Sequence, residues 1–403
     1  LKNSIEFLYP EPVEGKIAQN DFSARISTRY TAKESGQHSF GLHTAGRSRL
    51  KIDGQIVVDI WDDWTKGRTF FEEGCDERTG LVELEVGLTY LIEVDLLTVP
   101  AANLVNPAFR FGVSRPLGDE AIAEAVAAAE NAETVLLFVG RSGEWDTEGS
   151  DLDHIQLPGR QDELVKTVVD ANPNTVVVLQ TGGPVEMPWL GQVPAVLQAW
   201  YPGQEVGNAL ADVLFGDTEP SGRLPQTFPV RWLDNPAQSD DAEVYPGKDG
   251  NVRYAEGVFI GYRHYDFKGI TPMFPFGHGL GYTSFEISEI EACEDDNGVI
   301  VNVTLQNTGT RTGSTVVQLY VSDTHASVSR PEKELKGFHK VSLAAGENAT
   351  VSIGLEPRDF AFFDVDASVW RVEAGEFTLF AGFSASDLRV STVVTREADE
   401  IAK

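Results

Sequence analysis

Cysteine is nearly absent from this sequence, since Cys75 and Cys293 are the only two among 403 residues. Two cysteines exclude a disulfide framework and any metal site built from several thiolates. Basic residues are scarce as well: 32 Lys and Arg stand against 62 Asp and Glu, for a formal net charge of −30. Because this charge repels phosphate polymers and anionic lipid, nucleic-acid and membrane binding are poor hypotheses. No apolar run reaches the roughly 18 residues that a membrane span needs.

The length argues for several domains, because domains of about 150 residues predict two to four of them here. Hydrophobic residues make up 41% of the chain and charged residues 23%, with 38 Gly and 20 Pro. This is the composition of a soluble, loop-rich globular protein. The sequence starts at Leu1 without Met or a visible signal peptide, so it leaves the cellular location open.

Residues 1–116 read as short strands separated by turns. Polar and apolar residues alternate over 22–30 and 81–86, and Asp53-Gly54 is one of several recurring turn signals. This spacing predicts a small all-β sandwich without a helix.

Residues 117–235 predict an α/β domain, because helical patterns alternate with apolar runs suited to buried parallel strands. Three such strands are fewer than the five or six usual in a sheet of this type, so we expect further strands to precede Leu1. The predicted elements are helices over 119–132, 158–171 and 204–215, the last ended by Gly216, and strands over 134–139, 174–180 and 194–200.

The remaining chain predicts an irregular segment followed by a second sandwich. Residues 236–285 are rich in Gly, Pro and aromatic residues, which indicates a connection without regular structure. Residues 286–403 return to strand patterns, at 299–305, 315–321 and 375–382. Their proportions are those of an immunoglobulin-like sandwich.

The strongest chemical signal lies directly after the strand over 134–139. Five carboxylates fall within ten residues of a glycine-containing loop: Glu144, Asp146, Glu148, Asp151 and Asp153. Crowded like charges raise a carboxyl pKa, which suits a general acid that acts near neutral pH. A solvated acidic loop is the alternative from the residues alone. The spacing does not fit a calcium loop, and the negative charge does not fit phosphate binding.

Other candidate sites are weaker. Trp61 and Trp64 flank two aspartates and are candidates for stacking against a sugar ring, or else partly buried loop residues. His154, His264 and His278 are scattered without a ligand pair, so the sequence predicts no metal and no cofactor. The absence of a G-x-S-x-G motif argues against a serine nucleophile of the α/β-hydrolase kind.

A long series of motifs occurs in nine segments of the chain, at 144–149, 157–165, 171–178, 184–189, 198–205, 212–217, 221–225, 257–266 and 274–280. In this order they resemble the C-terminal half of glycoside hydrolase family 3, the β-glucosidase family. The resemblance covers about residues 117–395, and residues 330–338 look like the signature of the family's fibronectin type III-like domain. Residues 1–116 resemble the anthrax protective antigen-type sandwich that some members carry as an insert.

The resemblance implies a retaining glycosidase in which two carboxyl groups act together. It places the nucleophilic Asp on an N-terminal barrel outside this sequence, and the acid/base Glu at Glu144, with Glu148 as the second candidate. Trp145, Trp61 and Trp64 are the candidate substrate-binding residues. Family members often have Arg after the aspartate where this chain has Leu152 after Asp151, so the anchoring of the loop differs.

The implied partners are a small β-glucoside or oligosaccharide and the N-terminal half of the same enzyme. The chain alone is expected to be inactive. A β-xylosidase or a deglycosylase of small molecules are alternative specificities, and a carbohydrate-binding module without catalysis is the alternative function. A homodimer is left open.

Overall fold

The computed structural model describes residues 6–7, 22–98, 107–116, 118–143, 145–148, 151–239, 241–295 and 298–401. The chain forms two units, and each has a hydrophobic core of its own. The first unit comprises Leu1–Gly182 and Pro188–Trp200, and the second comprises Gly183–Met187 and Tyr201–Lys403. The finer division at residues 116, 235 and 285 stays a prediction.

The first unit begins with a β-sandwich, as the sequence predicts. Its strands are β1 (Glu6–Phe7), β2 (Ser23–Thr31), β3 (Gly36–Ala45), β4 (Arg47–Ile52), β5 (Gln55–Ile60), β6 (Arg78–Leu84), β7 (Thr89–Leu97) and β8 (Ala108–Ser114). They pair in two antiparallel sheets, with the orders β1-β8-β3-β6 and β2-β7-β4-β5. Phe40 and Leu42 of β3 are fully buried against Leu50, Ile92 and Leu96 of the other sheet. The period of two along each strand therefore places the core between the sheets.

The prediction of no helix before residue 116 is wrong, because α1 spans Thr69–Glu72. This single turn lies between β5 and β6. Phe70 and Glu72 have positive φ angles of 52° and 61°. So short an element is too small to show a helical period in the sequence, and neighbouring residues hold it in place.

The first unit continues with a parallel three-stranded sheet, which confirms the predicted α/β fold. Its elements are α2 (Asp119–Glu130), β9 (Val135–Gly140), α3 (Gln161–Ala171), β10 (Thr175–Gln180), a 3₁₀ turn (Leu190–Gln192) and β11 (Ala195–Gln198). The strand order is β11-β10-β9, and both pairs are parallel. Val177, Val178 and Leu179 of the central strand are fully buried.

The outer strand β9 differs from the buried strand that its apolar sequence predicts. Leu136 and Phe138 are 40% and 48% exposed. Within the described residues, β9 pairs with β10 along one edge and with no strand along the other. An apolar strand with an open edge is a template for pairing with further chain.

The second unit holds two helices ahead of its sandwich. A 3₁₀ turn (Gly203–Glu205) leads into α4 (Val206–Phe215), which Gly216 ends at a φ of 82°, as predicted. The prediction of no regular structure over 236–285 is wrong, because α5 spans Tyr262–Lys268.

The second sandwich confirms the prediction for the end of the chain. Its strands are β12 (Phe285–Asp295), β13 (Gly298–Asn307), β14 (Gly313–Asp323), β15 (Glu334–Leu343), β16 (Asn348–Leu355), β17 (Phe362–Asp364), β18 (Val369–Val372), β19 (Gly375–Ser384), β20 (Asp387–Arg396) and β21 (Asp399–Ile401). The sheets have the orders β12-β13-β16, β15-β14-β19-β20 and β17-β18-β21. Val301 and Val303 of β13 are fully buried with Val317 and Leu319 of β14.

Candidate active site

The acidic loop, defined here as residues 141–155, follows β9 at the carboxyl end of the parallel sheet. Ligands of open α/β sheets bind at this end of the strands. Glu144, Gly149 and Ser150 lie outside the described residues, so the predicted acid/base Glu144 stays a prediction.

The entrance to the loop is closely fitted to the sheet. A Cβ on Gly140 would lie 2.1 Å from the carbonyl oxygen of Gln180, so this last position of β9 requires glycine. The Gln161 side chain accepts from the Gly140 N–H at 2.7 Å and donates to its carbonyl at 2.9 Å. These contacts fix the direction in which the loop leaves the sheet.

Arg141 anchors the loop from inside. Its side chain is fully buried and donates to Asp146 Oδ1 at 3.3 Å and to the Ile155 carbonyl at 2.9 Å. Asp146 Oδ2 accepts from the backbone N–H of Gly182 at 2.7 Å, beyond the end of β10. One arginine therefore joins the middle of the loop to its far end, and Asp146 is turned toward the protein.

The Asp146 contact is supported by a turn in the backbone. The N–H groups of Trp145 and Asp146 both donate to the Ser142 carbonyl at 3.0 Å. Because its carboxylate accepts hydrogen bonds from the Arg141 guanidinium group and from the Gly182 N–H, Asp146 is held against the protein rather than directed toward a substrate.

Glu148 differs from Asp146 in its environment. Its side chain is exposed, and no described residue donates a hydrogen bond to its carboxylate. It therefore has the freedom that a proton donor needs to approach a substrate oxygen.

Trp145 lies beside these carboxylates and is half-buried. Its ring centroid lies 5.8 Å from that of His154, at an interplanar angle of 47°. The guanidinium carbon of Arg68 lies 6.0 Å from the Trp145 ring centroid. An aromatic surface therefore lies in the same loop as the candidate acid, and its role in substrate binding stays a prediction.

Trp61 and Trp64 have different surroundings from each other. The indole N–H of Trp64 donates to the Thr44 carbonyl at 3.0 Å, and the ring packs against the sandwich core. Arg49 lies 4.8 Å above the ring of Trp61. Trp64 thus contributes to the structure of its loop, and a sugar on the Arg49 side of Trp61 would compete with the guanidinium group. Substrate binding by either residue stays a prediction.

Sequence reasoning missed Arg141, Gln161 and Arg68 as residues of this site. A charged residue that directly follows an apolar strand was a signal for Arg141, because burial of such a group demands partners. No local signal identified Arg68, which lies between β5 and β6 of the first sandwich, 85 residues before its partner Asp153. Among the residues that the structure describes, no three His, Cys, Asp or Glu side chains form a group that could hold a metal ion. No helix in the described part of the chain is long and apolar enough to cross a membrane.

Comparison with protein families identifies the chain. The family model of the glycosyl hydrolase family 3 C-terminal domain matches residues 15–282, about two thirds of the sequence. This chain belongs to glycoside hydrolase family 3. The fibronectin type III-like model matches residues 315–385 within the second sandwich, which confirms that domain too.

Curated relatives of this family 3 chain are β-glucosidases. The chain is 52% identical over 404 residues to a β-glucosidase of Rhizobium radiobacter, which covers 98% of the chain and 49% of the relative. It is 39% identical over 374 residues to a β-glucosidase of Kluyveromyces marxianus, and this alignment covers 91% of the chain and 44% of the relative. The chain thus spans about half the length of the curated relatives it matches.

The solved structures that match this chain include β-glucosidases as well. The fold matches β-glucosidase of Kluyveromyces marxianus in complex with glucose with a TM-score of 0.91 and 37% identity, over 98% of this chain and 48% of that one. A β-glucosidase of Streptomyces venezuelae in complex with D-glucose matches with a TM-score of 0.71 and 35% identity, over 93% and 46%.

Proposed function

We propose that this chain is part of a β-glucosidase that hydrolyses terminal β-D-glucosides, and that its acidic loop supplies the acid/base glutamate. The observation that carries this proposal is a carboxylate-rich loop at the carboxyl end of the parallel sheet in a family 3 chain. The glucose bound in the related structures supports a glucoside as the substrate.

The nucleophile is proposed to lie outside this sequence, on an N-terminal barrel of the same enzyme. Two observations support this arrangement. The chain spans about half the length of its curated relatives. The edge of β9 and its exposed Leu136 and Phe138 offer a place where further strands can complete the sheet.

The proposed reaction retains the configuration of the sugar in two steps. In the first, the barrel carboxylate attacks the anomeric carbon while the glutamic acid of the loop protonates the departing glycosidic oxygen. In the second, the same glutamate takes a proton from water, and the water oxygen displaces the enzyme carboxylate. The loop glutamate must therefore reach the glycosidic oxygen from the side of the aglycone.

Of the two candidate glutamates, the surroundings of the loop support Glu148, whereas the resemblance favoured Glu144. Asp146 lies between them and is held inward by Arg141 and Gly182. Glu148 follows this anchored residue by two positions, is exposed, and accepts no hydrogen bond from a described residue. An anchored backbone with a free carboxylate is what a positioned acid requires.

Substitution of each glutamate tests the proposal. The chain is co-expressed with a family 3 barrel polypeptide, and Glu148→Ala and Glu144→Ala are compared with Glu124→Ala, an exposed glutamate of α2. Loss of the acid should lower kcat by about 10²- to 10⁴-fold for alkyl glucosides with poor leaving groups, and far less for activated aryl glucosides. Azide should restore the rate of the impaired variant and yield a β-glucosyl azide.

The pattern of results separates the alternatives. If only Glu144→Ala behaves as described, Glu148 is not the donor. If neither variant differs from Glu124→Ala, the loop does not supply the acid. Appreciable turnover by the chain without a barrel partner would refute the division of the two carboxylates. A co-expressed complex that binds glucose but never hydrolyses a glucoside would favour a carbohydrate-binding function.

A further inference from the structure

An arginine of the first sandwich contacts the acidic loop from outside. Arg68 lies between β5 and β6, and its Nη2 donates to Asp153 Oδ2. The same guanidinium group lies 6.0 Å from the ring centroid of Trp145. Its two partners lie three residues before and five residues after Glu148, so this one cation contacts the loop on both sides of the candidate acid.

The segment that carries Arg68 is tied to the sandwich at several points. The Trp64 indole and the Cys75 N–H both donate to the Thr44 carbonyl, at 3.0 Å and 2.9 Å. The Gly67 N–H donates to the Gly74 carbonyl at 2.7 Å, which closes the segment on itself.

The backbone of Arg68 is fixed by the same segment. Its N–H donates to Asp76 Oδ1 at 3.0 Å. A Cβ on the preceding Gly67 would lie 2.4 Å from the Asp76 backbone nitrogen, so the close approach of these two segments of the chain requires glycine at position 67. The guanidinium group therefore extends from a well-anchored backbone toward the acidic loop.

Exposure indicates what the Arg68 contact does. The side chains of Arg68 and Asp153 are 32% and 78% exposed. Ion pairs this exposed add little to the stability of a fold, so the contact is poorly suited to hold the sandwich in place. A planar guanidinium group that bonds a carboxylate and lies near an aromatic ring is suited to fix the geometry of both.

We propose that Arg68 is a positioning residue, through which the first sandwich holds Trp145 and Asp153 and thereby sets the position of the acid/base glutamate. The proposal rests on the proposed function in so far as the acidic loop supplies that glutamate. In this proposal the first sandwich contributes a residue to the active site, because Arg68 contacts the outer side of the loop and Arg141 contacts its inner side.

Hydrogen exchange on the chain itself tests the structural part. The variant Arg68→Gln is compared with Arg29→Gln, which removes an exposed arginine of β2 whose side chain makes no hydrogen bond or ion pair with any described residue. In Arg68→Gln the amides of Trp145 and Asp146 should exchange about fivefold to tenfold faster, with an unchanged Tm. Arg68→Lys, which keeps the charge without the planar fork, should restore part of the protection.

A second variant keeps the test independent of any effect on folding. Asp153→Asn should speed exchange of the same amides, and adding it to Arg68→Gln should cause less than the sum of the two effects. Unchanged exchange in Arg68→Gln would overturn the proposal. A lowered Tm with faster exchange throughout the sandwich would overturn it too, because Arg68 would then serve the fold alone.

Kinetics of the chain co-expressed with a barrel polypeptide test the catalytic part. Arg68→Gln should lower kcat for poor leaving groups by about tenfold and leave KM and the rate on activated aryl glucosides nearly unchanged, which a general loss of structure would not do. If Glu148→Ala and Glu144→Ala are fully active, the proposed function fails. If either is impaired but Arg68→Gln is not, the function stands and positioning by Arg68 is refuted.

Discussion

Arg330 lies at the start of the segment that resembles the fibronectin type III-like signature, and its removal should destabilise the second sandwich strongly. Its guanidinium group contacts Asp323 and Glu334, both at 3.1 Å, and donates to the Phe360 carbonyl at 3.0 Å. Arg330 and Asp323 are 7% and 5% exposed. The pair is therefore almost fully shielded from water, and removal of the arginine leaves a buried carboxylate without its counter-charge.

The expected loss of unfolding free energy depends on which charged groups lose their partners when Arg330 is removed. Removal of one member of a buried ion pair costs about 3–5 kcal/mol. Glu334 keeps Arg263 at 3.4 Å and Lys336 at 3.7 Å, and Asp323 keeps the backbone N–H of His325 at 3.1 Å. We therefore expect Arg330→Met to cost about 3 kcal/mol, at the lower end of this range.

Urea-dependent hydrogen exchange of the β14 amides measures this cost in the second sandwich alone. The matched control is Arg389→Met, because Arg389 and Asp387 form a pair whose members are 52% and 40% exposed. Such an exposed pair contributes less than about 1 kcal/mol. The double variant Arg330→Met with Asp323→Asn should be more stable than Arg330→Met, because it removes the buried charge. Equal costs for Arg330→Met and Arg389→Met would refute the reasoning.

Two further predictions concern the first unit. Hydrogen bonds from Arg25 and Lys51 lower the pKa of Asp95 from 3.8 to about 2. The resulting stabilisation is complete above about pH 4 and lost as the pH falls toward 2, so Asp95→Asn should flatten the acid limb of stability between these values, followed by urea unfolding. Arg141→Met removes a fully buried side chain that donates two hydrogen bonds, so the amides of the acidic loop should exchange more than about tenfold faster. Arg141→Lys should not restore their protection, because an ammonium group cannot reproduce both bonds.

The long elements of the fold were predictable because each has a periodic core face. The helix predicted over 119–132 is observed as Asp119–Glu130, and the strand predicted over 299–305 as Gly298–Asn307. In both, repetition of apolar residues at the period of the element carries the information. The differences are confined to the ends, by one to two residues in each element.

The short helices were not predictable from local pattern, and α5 shows why. Asp266 accepts from Lys333 Nζ at 2.6 Å, and the Tyr262 hydroxyl accepts from the Leu335 N–H at 2.8 Å. Both partners lie about 70 residues further along the chain. Seven residues are too few for a stable isolated helix, so tertiary contacts decide the conformation. The exposed face of β9 is a similar case. An apolar run indicates that a strand can be buried, but it does not indicate which segment of polypeptide packs against it.

The acidic loop was predictable as a candidate site, but its geometry was not. The sequence shows that the loop follows an apolar strand and that it contains five carboxylates. It does not show which of these carboxylates are bound by Arg141 and Arg68. Arg141 adjoins the loop, but Arg68 precedes Asp153 by 85 residues. Spacing along the chain gives no information on such a contact, so the residue that the sandwich contributes emerges only in three dimensions.

The pairing of some carboxylates with arginines also indicates which carboxylate is available to act as the proposed acid. Four of the loop's five carboxylates belong to described residues, and two of these, Asp146 and Asp153, pair with Arg141 and Arg68, which offsets the repulsion between like charges. Both arginines hold aspartates, whose short side chains keep the backbone near the cation. Glu148 lies between the two anchored positions, with a longer side chain and no donor among the described residues. Anchors on both sides of Glu148 limit where its carboxyl group can go, and the proposed reaction requires such a limited reach, because the same group is to act first as acid and then as base on one face of the substrate.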